Sequence, residues 1–259
     1  MTSYALETGR YMTAPVETIA TTAPLSEAYQ RLETHGFSSL AVVDGARLVG
    51  VLSRTDLLRV GQRKRGPRPG APLLDLPDEN VASAMTSPAI AVEQSAALGD
   101  AARVMLDNRY HRVFVTRDGA LVGVLSSRDV MAAIRDLRDE TVIGQHMSTP
   151  IKAFDARGEV GDATALLDAA GIGGVVVVED GWPIGTYTQA DALHARDEPR
   201  TTPVEEVMSL SLVCVPSSMR MHRAAAQALR LGTRRLIAVE QDQAVGILSG
   251  LDFVRCAAF

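Results

Sequence analysis

The stretch Gly-Val-Leu-Ser-Arg-Thr-Asp, Gly50 to Asp56, constrains the fold of this chain most, because its pattern returns at Gly123 to Asp129, Gly185 to Asp191 and Gly246 to Asp252. A Met stands 44 residues before each closing Asp, as Met12, Met85, Met147 and Met208. Thirteen residues after each Met comes an apolar residue: Leu25, Leu98, Val160 and Met221. No gap is needed inside any copy, so the 259 residues are a fourfold internal repeat. A unit of about 60 residues has little core of its own. The copies must therefore pack on one another, and two packed pairs are expected.

Within a copy the apolar period changes twice. In the first, Leu25, Ala28, Tyr29 and Leu32 fall on one helical face. Gly36 ends that helix, Leu40 to Val43 reads as an aliphatic strand, and Asp44-Gly45 turns it into a partner strand, Leu48 to Leu52. Ser53 then opens a second helix, and a short strand at Val16 to Ala20 precedes the first, giving β-α-β-β-α. Leu98, Ala101, Ala102 and Met105 in copy two and Val160, Ala163 and Leu167 in copy three repeat the helical face. Residues 61–80 are the one long interruption, a basic stretch rich in Gly and Pro that carries Arg63, Lys64, Arg65 and Arg68. It reads as a loop. A solvated linker explains it better than an anchor for nucleic acid, because no aromatic residues interleave with the charges.

The fourfold Gly…S/T-x-x-D pattern, with the Met-Thr-x-Pro-like start of each copy, resembles the cystathionine-β-synthase (CBS) domain, a regulatory unit that usually occurs in tandem pairs. The resemblance covers nearly the whole chain. It implies an α+β fold of four β-α-β-β-α repeats arranged as two pseudo-twofold tandem pairs, residues 1–137 and 138–259. Copy four reads Met208-Ser-Leu-Ser211, without the Pro of the family pattern, in the loop that contacts the base in this family.

In nucleotide-binding members of the family the Asp holds the ribose hydroxyls of an adenosine ligand, and the preceding Ser or Thr lies close by. Carried onto this chain, those residues are Ser53 and Asp56, Ser126 and Asp129, Thr188 and Asp191, and Ser249 and Asp252. The same residue types at that spacing also form a helix capping box, with the acid opposing the positive end of the helix dipole. Capping alone could account for all four. A carboxylate at a helix start can in addition accept hydrogen bonds from a diol.

Where the copies differ they point elsewhere. At the entrance to the aliphatic strand, copies two and four carry His111-Arg112 and Arg234-Arg235, whereas copies one and three carry Ser38-Ser39 and Gly173-Gly174. A core position would not alternate between small residues and cations. The His-Arg entrance resembles that of the γ subunit of AMP-activated protein kinase, which implies a phosphate contact. Arg supplies a planar fork that matches phosphate oxygens, and His a donor that charges beside an anion. Arg128 is a further phosphate candidate. The alternative is structural, with Arg112 paired to a neighbour such as Asp107. Copy three, with its paired glycines and with Tyr187 in place of Leu52, Leu125 and Leu248, is expected to be the weakest nucleotide site, its Tyr narrowing the cleft or stacking on a base.

Composition excludes more than it selects. With 46% hydrophobic and 22% charged residues the chain is globular. Its formal net charge of −5 argues against general nucleic-acid binding. Cys214 and Cys256 lack ligand spacing, and His35, His146, His194 and His222 are isolated, so no metal site is expected. No signal peptide or membrane-spanning run is apparent, which suggests a cytoplasmic protein. Neither G-x-S-x-G nor a P-loop occurs. The expectation is a non-catalytic module that needs no obligatory cofactor, binds AMP, ADP or ATP, and passes metabolite status to a protein partner, a second copy of the chain included. NAD and S-adenosylmethionine stay open as ligands. An interaction module with vestigial clefts is the alternative, and a nucleic-acid-associated regulator working through the basic loop is weaker.

Overall fold

The change of apolar period is realised in every copy. The computed structural model describes residues 4–37, 39–65 and 72–259, without the side chains of residues 62–65, 72, 73 and 196. Repeat one comprises β1 (Thr18–Ala20), α1 (Leu25–His35), β2 (Ser39–Asp44), β3 (Arg47–Ser53) and α2 (Arg54–Val60). After it come β4 (Gln62–Arg65), β5 (Pro72–Asp75) and the single turn α3 (Val81–Ala84). Repeat two has β6 (Ala91–Glu93), α4 (Leu98–Asp107), β7 (Arg112–Arg117), β8 (Ala120–Ser126) and α5 (Ser127–Asp136). Repeat three has β9 (Ala153–Asp155), α6 (Val160–Ala170), β10 (Gly174–Glu179), β11 (Trp182–Thr188) and α7 (Gln189–His194). Repeat four has β12 (Cys214–Pro216), α8 (Met221–Leu231), β13 (Arg235–Glu240), β14 (Gln243–Ser249) and α9 (Gly250–Ala258).

The first helix of each repeat buries the face its sequence marks. Leu25, Ala28 and Leu32 of α1 are fully buried, as are Leu98, Ala101, Ala102 and Met105 of α4. Left-handed glycines terminate three of these helices: Gly36, Gly171 and Gly232, with φ of 64°, 59° and 68°. In each repeat the short first strand runs parallel to the second, which pairs antiparallel with the third.

The chain divides into two compact units, Ala5–Asp129 and, together with Tyr4, Val130–Phe259. In the first, the sheets of repeats one and two meet where Arg47 lies opposite Ala120, giving the strand order β1-β2-β3-β8-β7-β6. That order reads the same by repeat from either edge, as a twofold relation between the repeats requires. In the second unit each repeat keeps its own three-stranded sheet, and the Ala244 N–H donates to the Gly181 carbonyl at 3.2 Å.

Within a unit the repeats exchange their starting arms. Thr13 forms a bridge with Val124 of repeat two, and Thr86 one with Val51 of repeat one. Ser148 likewise meets Ile247, and Ser209 meets Thr186. The exchange explains why Met and Gly recur together. A Cβ on Gly50 would lie 2.8 Å from Met85 Sδ, one on Gly185 2.5 Å from Met208 Sδ, and one on Gly246 2.6 Å from Met147 Sδ. At Gly123 it would strike Met12. Each Gly makes room for the thioether of the other repeat in its pair.

Two expectations are corrected. Residues 61–80 are not simply a loop: β4 and β5 pair antiparallel from Gln62 opposite Asp75 to Arg65 opposite Pro72. Leu74 and Leu76 pack against the repeat-one core, so their burial draws the strands together despite the Gly- and Pro-rich stretch between them. Arg68 and the side chains of Arg63, Lys64 and Arg65 lie outside the described residues. Tyr187 does not enter a cleft. It is fully buried in the repeat-three core, as Leu52, Leu125 and Leu248 are in theirs, and its hydroxyl lies 2.9 Å from Thr164 Oγ1. The strand period decides this, since Tyr187 occupies the same inward position as the three leucines.

Unit two also holds a buried polar cluster. Asp139, 2% exposed, accepts hydrogen bonds from the Tyr4 hydroxyl at 2.7 Å and from the Thr141 backbone N–H at 2.9 Å, with Cys256 Sγ at 3.8 Å. Burial first, then the neighbouring Asp139 charge, pushes the Cys256 thiol up to about 12.

Candidate functional site

The strand-to-helix junctions repeat one geometry. Ser53, Ser126, Thr188 and Ser249 each close a strand, and the Asp three residues on turns one carboxylate oxygen back to them. Asp56 Oδ2 accepts the Ser53 N–H at 2.9 Å and its hydroxyl at 2.6 Å. Asp129 Oδ2 takes those of Ser126 at 2.7 and 2.6 Å, and Asp191 Oδ2 those of Thr188 at 2.8 and 2.6 Å. Asp252 Oδ2 takes both from Ser249 at 2.6 Å. The Asp56 and Asp191 N–H groups complete the box by donating to Ser53 Oγ at 3.2 Å and Thr188 Oγ1 at 3.4 Å. At all four junctions this arrangement consumes Oδ2. Only Oδ1 is left for a ligand.

The four Oδ1 atoms are not equivalent. Asp252 Oδ1 accepts from the Ser148 hydroxyl at 2.9 Å and from Arg255 Nη1 at 2.7 Å, and the residue is 1% exposed. Asp56, 6% exposed, meets Arg59 Nη1 at 3.3 Å. Asp129 and Asp191 are half-buried. Asp129 Oδ1 receives a long bond, 3.3 Å, from the Thr13 hydroxyl, and Asp191 Oδ1 has no side-chain donor among the described residues. Thr13 and Ser148 reach these carboxylates because the arms are exchanged. Sequence reasoning overlooked them, although the position after each Met is Thr13, Thr86, Ser148 and Ser209, a hydroxyl in every copy.

Strand register brings the entrance residues to the same junction. Ser39 pairs with Ser53, Arg112 with Ser126, Gly174 with Thr188 and Arg235 with Ser249. Directly opposed residues of antiparallel strands stand about 5 Å apart at Cβ. Two signals far apart in the sequence therefore converge beside each helix start. His111 leads into β7, and its carbonyl accepts the Ser127 N–H at 2.9 Å. His111, Arg112, Arg128, Arg234 and Arg235 are all exposed. The pairing of Arg112 with Asp107 does not form, and Arg112 makes no ion pair among the described residues. Arg235 also reaches toward its neighbour: its Nη2 would lie 3.8 Å from a Cβ on Gly173, so this guanidinium stands at the repeat-three entrance. Ser38 lies outside the described residues.

Near the repeat-four carboxylate, the His146 carbonyl accepts a second bond from Arg255 Nη1 at 3.0 Å. Burial lowers the His146 pKa, with the Asp139 charge opposing that shift and Arg255 adding to it. Among the described residues no group of three or more His, Cys, Asp or Glu could hold a metal ion, and no helix is long and apolar enough to cross a membrane.

Four β-α-β-β-α units, paired by exchanged arms and carrying a capped carboxylate at each second helix, define a tandem-repeat α+β module. The chain belongs to the CBS domain family. The CBS domain profile matches residues 9–63 and 81–136. The CBS domain-containing protein YhcV of Bacillus subtilis is 32% identical over 106 residues, 40% of this chain and 76% of that protein. The uncharacterised protein MJ1404 of Methanocaldococcus jannaschii is 27% identical over 270 residues, 95% of this chain but only 61% of the relative. Among solved structures, MJ1225 of the same organism matches with a TM-score of 0.66 at 15% identity, covering 97% of this chain and 99% of that one.

Proposed function

We propose that this chain is a non-catalytic regulatory protein, two tandem CBS pairs, that binds adenine nucleotides of the AMP, ADP or ATP class and passes that occupancy to a protein partner. The ribose would be held at the junctions of Ser53 and Asp56, Ser126 and Asp129, Thr188 and Asp191, and Ser249 and Asp252. Phosphate would be held by His111, Arg112, Arg128, Arg234 and Arg235. One observation carries the reading. Strand register lays Arg112 across Ser126, so an exposed cation that makes no ion pair among the described residues stands beside the half-buried Asp129 carboxylate, whose Oδ1 can take a hydroxyl. A nucleotide needs that combination, an acceptor for the sugar and a fork for the phosphate.

The test is a thermal-shift panel of AMP, ADP, ATP, NAD and S-adenosylmethionine. A ligand at 100 times its dissociation constant stabilises the native state by about 2.7 kcal/mol. At least one adenine nucleotide should raise the melting temperature. A second reading, an interaction module with closed clefts, draws on the repeat-four carboxylate, whose two oxygens are both engaged. A flat response to every ligand in the panel would favour it.

A further inference from the structure

The four carboxylates differ in a residue one turn further along the helix. Three positions after the Asp, repeats one and four carry Arg59 and Arg255, whereas repeats two and three carry Ala132 and His194. On a helix this spacing places both side chains on one face. Arg59 and Arg255 use it to bond Oδ1 of Asp56 and Asp252, the oxygen that capping leaves over. Burial follows the same division. Asp56 and Asp252 are 6% and 1% exposed, while Asp129 and Asp191, which have Ala132 and His194 three residues on, stay half-buried.

We infer that Arg255, and more loosely Arg59, act as built-in occupants of the ribose carboxylate, leaving the repeat-two and repeat-three junctions, Asp129 and Asp191, as the ones ready for nucleotide. This rests on the nucleotide reading above and adds which clefts it serves. The repeat-four latch is the tighter. Arg255 Nη1 is 2.7 Å from Asp252 Oδ1 and 3.0 Å from the His146 carbonyl, and the Ser148 hydroxyl takes the remaining room on Oδ1. An oxygen with two lone pairs and two donors has no place for a third. The repeat-one latch is longer, 3.3 Å, and the Arg59 side chain is 70% exposed, so it can swing away. The open repeat-three junction is the one at whose entrance Arg235 stands. Each pair then offers one ready cleft and one latched one, which ranks repeat three above repeat four and reverses the order expected from sequence.

The experiment is equilibrium dialysis of the full chain against AMP, for wild type, Arg255→Met, Arg59→Met and the double variant R255M/D252A. Met keeps most of the aliphatic stem and removes the charge. Arg255→Met should add one AMP site per chain, and the added site should vanish in R255M/D252A. Releasing a charge-assisted bond should tighten AMP at the freed carboxylate about 10- to 150-fold. Arg59→Met, at an exposed side chain where folding is not at stake, should tighten AMP at repeat one by less. If wild type binds AMP but neither Arg variant binds more or tighter, the latch is wrong and the nucleotide reading stands. If neither wild type nor either Arg variant binds AMP, the nucleotide reading fails and takes the latch with it.

Discussion

Arg112 shows what a single residue can decide. It is exposed and has no ion pair among the described residues, so Arg112→Ser, matching Ser39 of repeat one, should leave the apo melting temperature nearly unchanged. AMP affinity should fall about 10- to 150-fold for each charge-assisted bond lost, and adenosine affinity far less. Calorimetric titration with both ligands checks this, and equal losses would return Arg112 to a structural role. Tyr4 makes the opposite forecast. Its hydroxyl donates to the buried Asp139 carboxylate, so Tyr4→Phe should cost about 1.5–3 kcal/mol in urea unfolding, with little change in ligand binding. His146 adds a pH dependence. Its folded pKa lies below the unfolded value, so below about pH 6.5 the unfolded chain binds more protons than the native one. Its contribution to stability is present above that pH and is lost as the pH falls. Denaturation at pH 7.5 and pH 5 should show a larger acid loss for wild type than for His146→Gln.

The exchanged arm is the element that builds the clefts. It carries Met147 onto Gly246 and, one residue later, Ser148 onto Asp252. A Cβ at Gly246 would lie 2.6 Å from Met147 Sδ and 3.0 Å from its Cγ, so Gly246→Ala must push the arm outward. Overpacking of this kind costs about 1–3 kcal/mol. Truncating Met147 to Ala opens the same space, so G246A/M147A should be less destabilised than the sum of the single variants, a coupling that a double-mutant cycle in urea measures. Additivity would mean that the thioether is not what Gly246 accommodates. The other junction elements were more legible. The helix faces and hairpins fell where their periods placed them, whereas the β4–β5 pair was missed because Gly, Pro and charge dominate its sequence; Leu74 and Leu76 pack it against the repeat-one core.

At the scale of the whole chain, the compact units part at Asp129 and Val130, inside α5. Val130, Met131, Ala133 and Ile134 are fully buried and belong to the unit formed by repeats three and four. A fragment of residues 138–259 would lack that apolar face. It should bind the dye ANS and melt well below a fragment of residues 127–259, by differential scanning calorimetry. Equal, cooperative melting of the two fragments would show that α5 contributes nothing to that unit.

Sequence alone determined the repeat, its β-α-β-β-α order, the helix faces and the place of each capped Asp, because all of these follow from local period and from helix-start chemistry within one copy. It also paired Ser or Thr with Asp. Only the tertiary structure decided who meets whom. The Gly of one repeat receives the Met of its neighbour, and Arg235 stands by Gly173 of repeat three, since a repeat of about 60 residues has too small a core to stand alone and must share parts with its partner. The inequality of the four carboxylates is tertiary as well. Four Asp residues at one register look alike in sequence, and they separate only when burial and the second oxygen's partners, Arg255 and Ser148 at one end and no side-chain donor described at Asp191, are set in space.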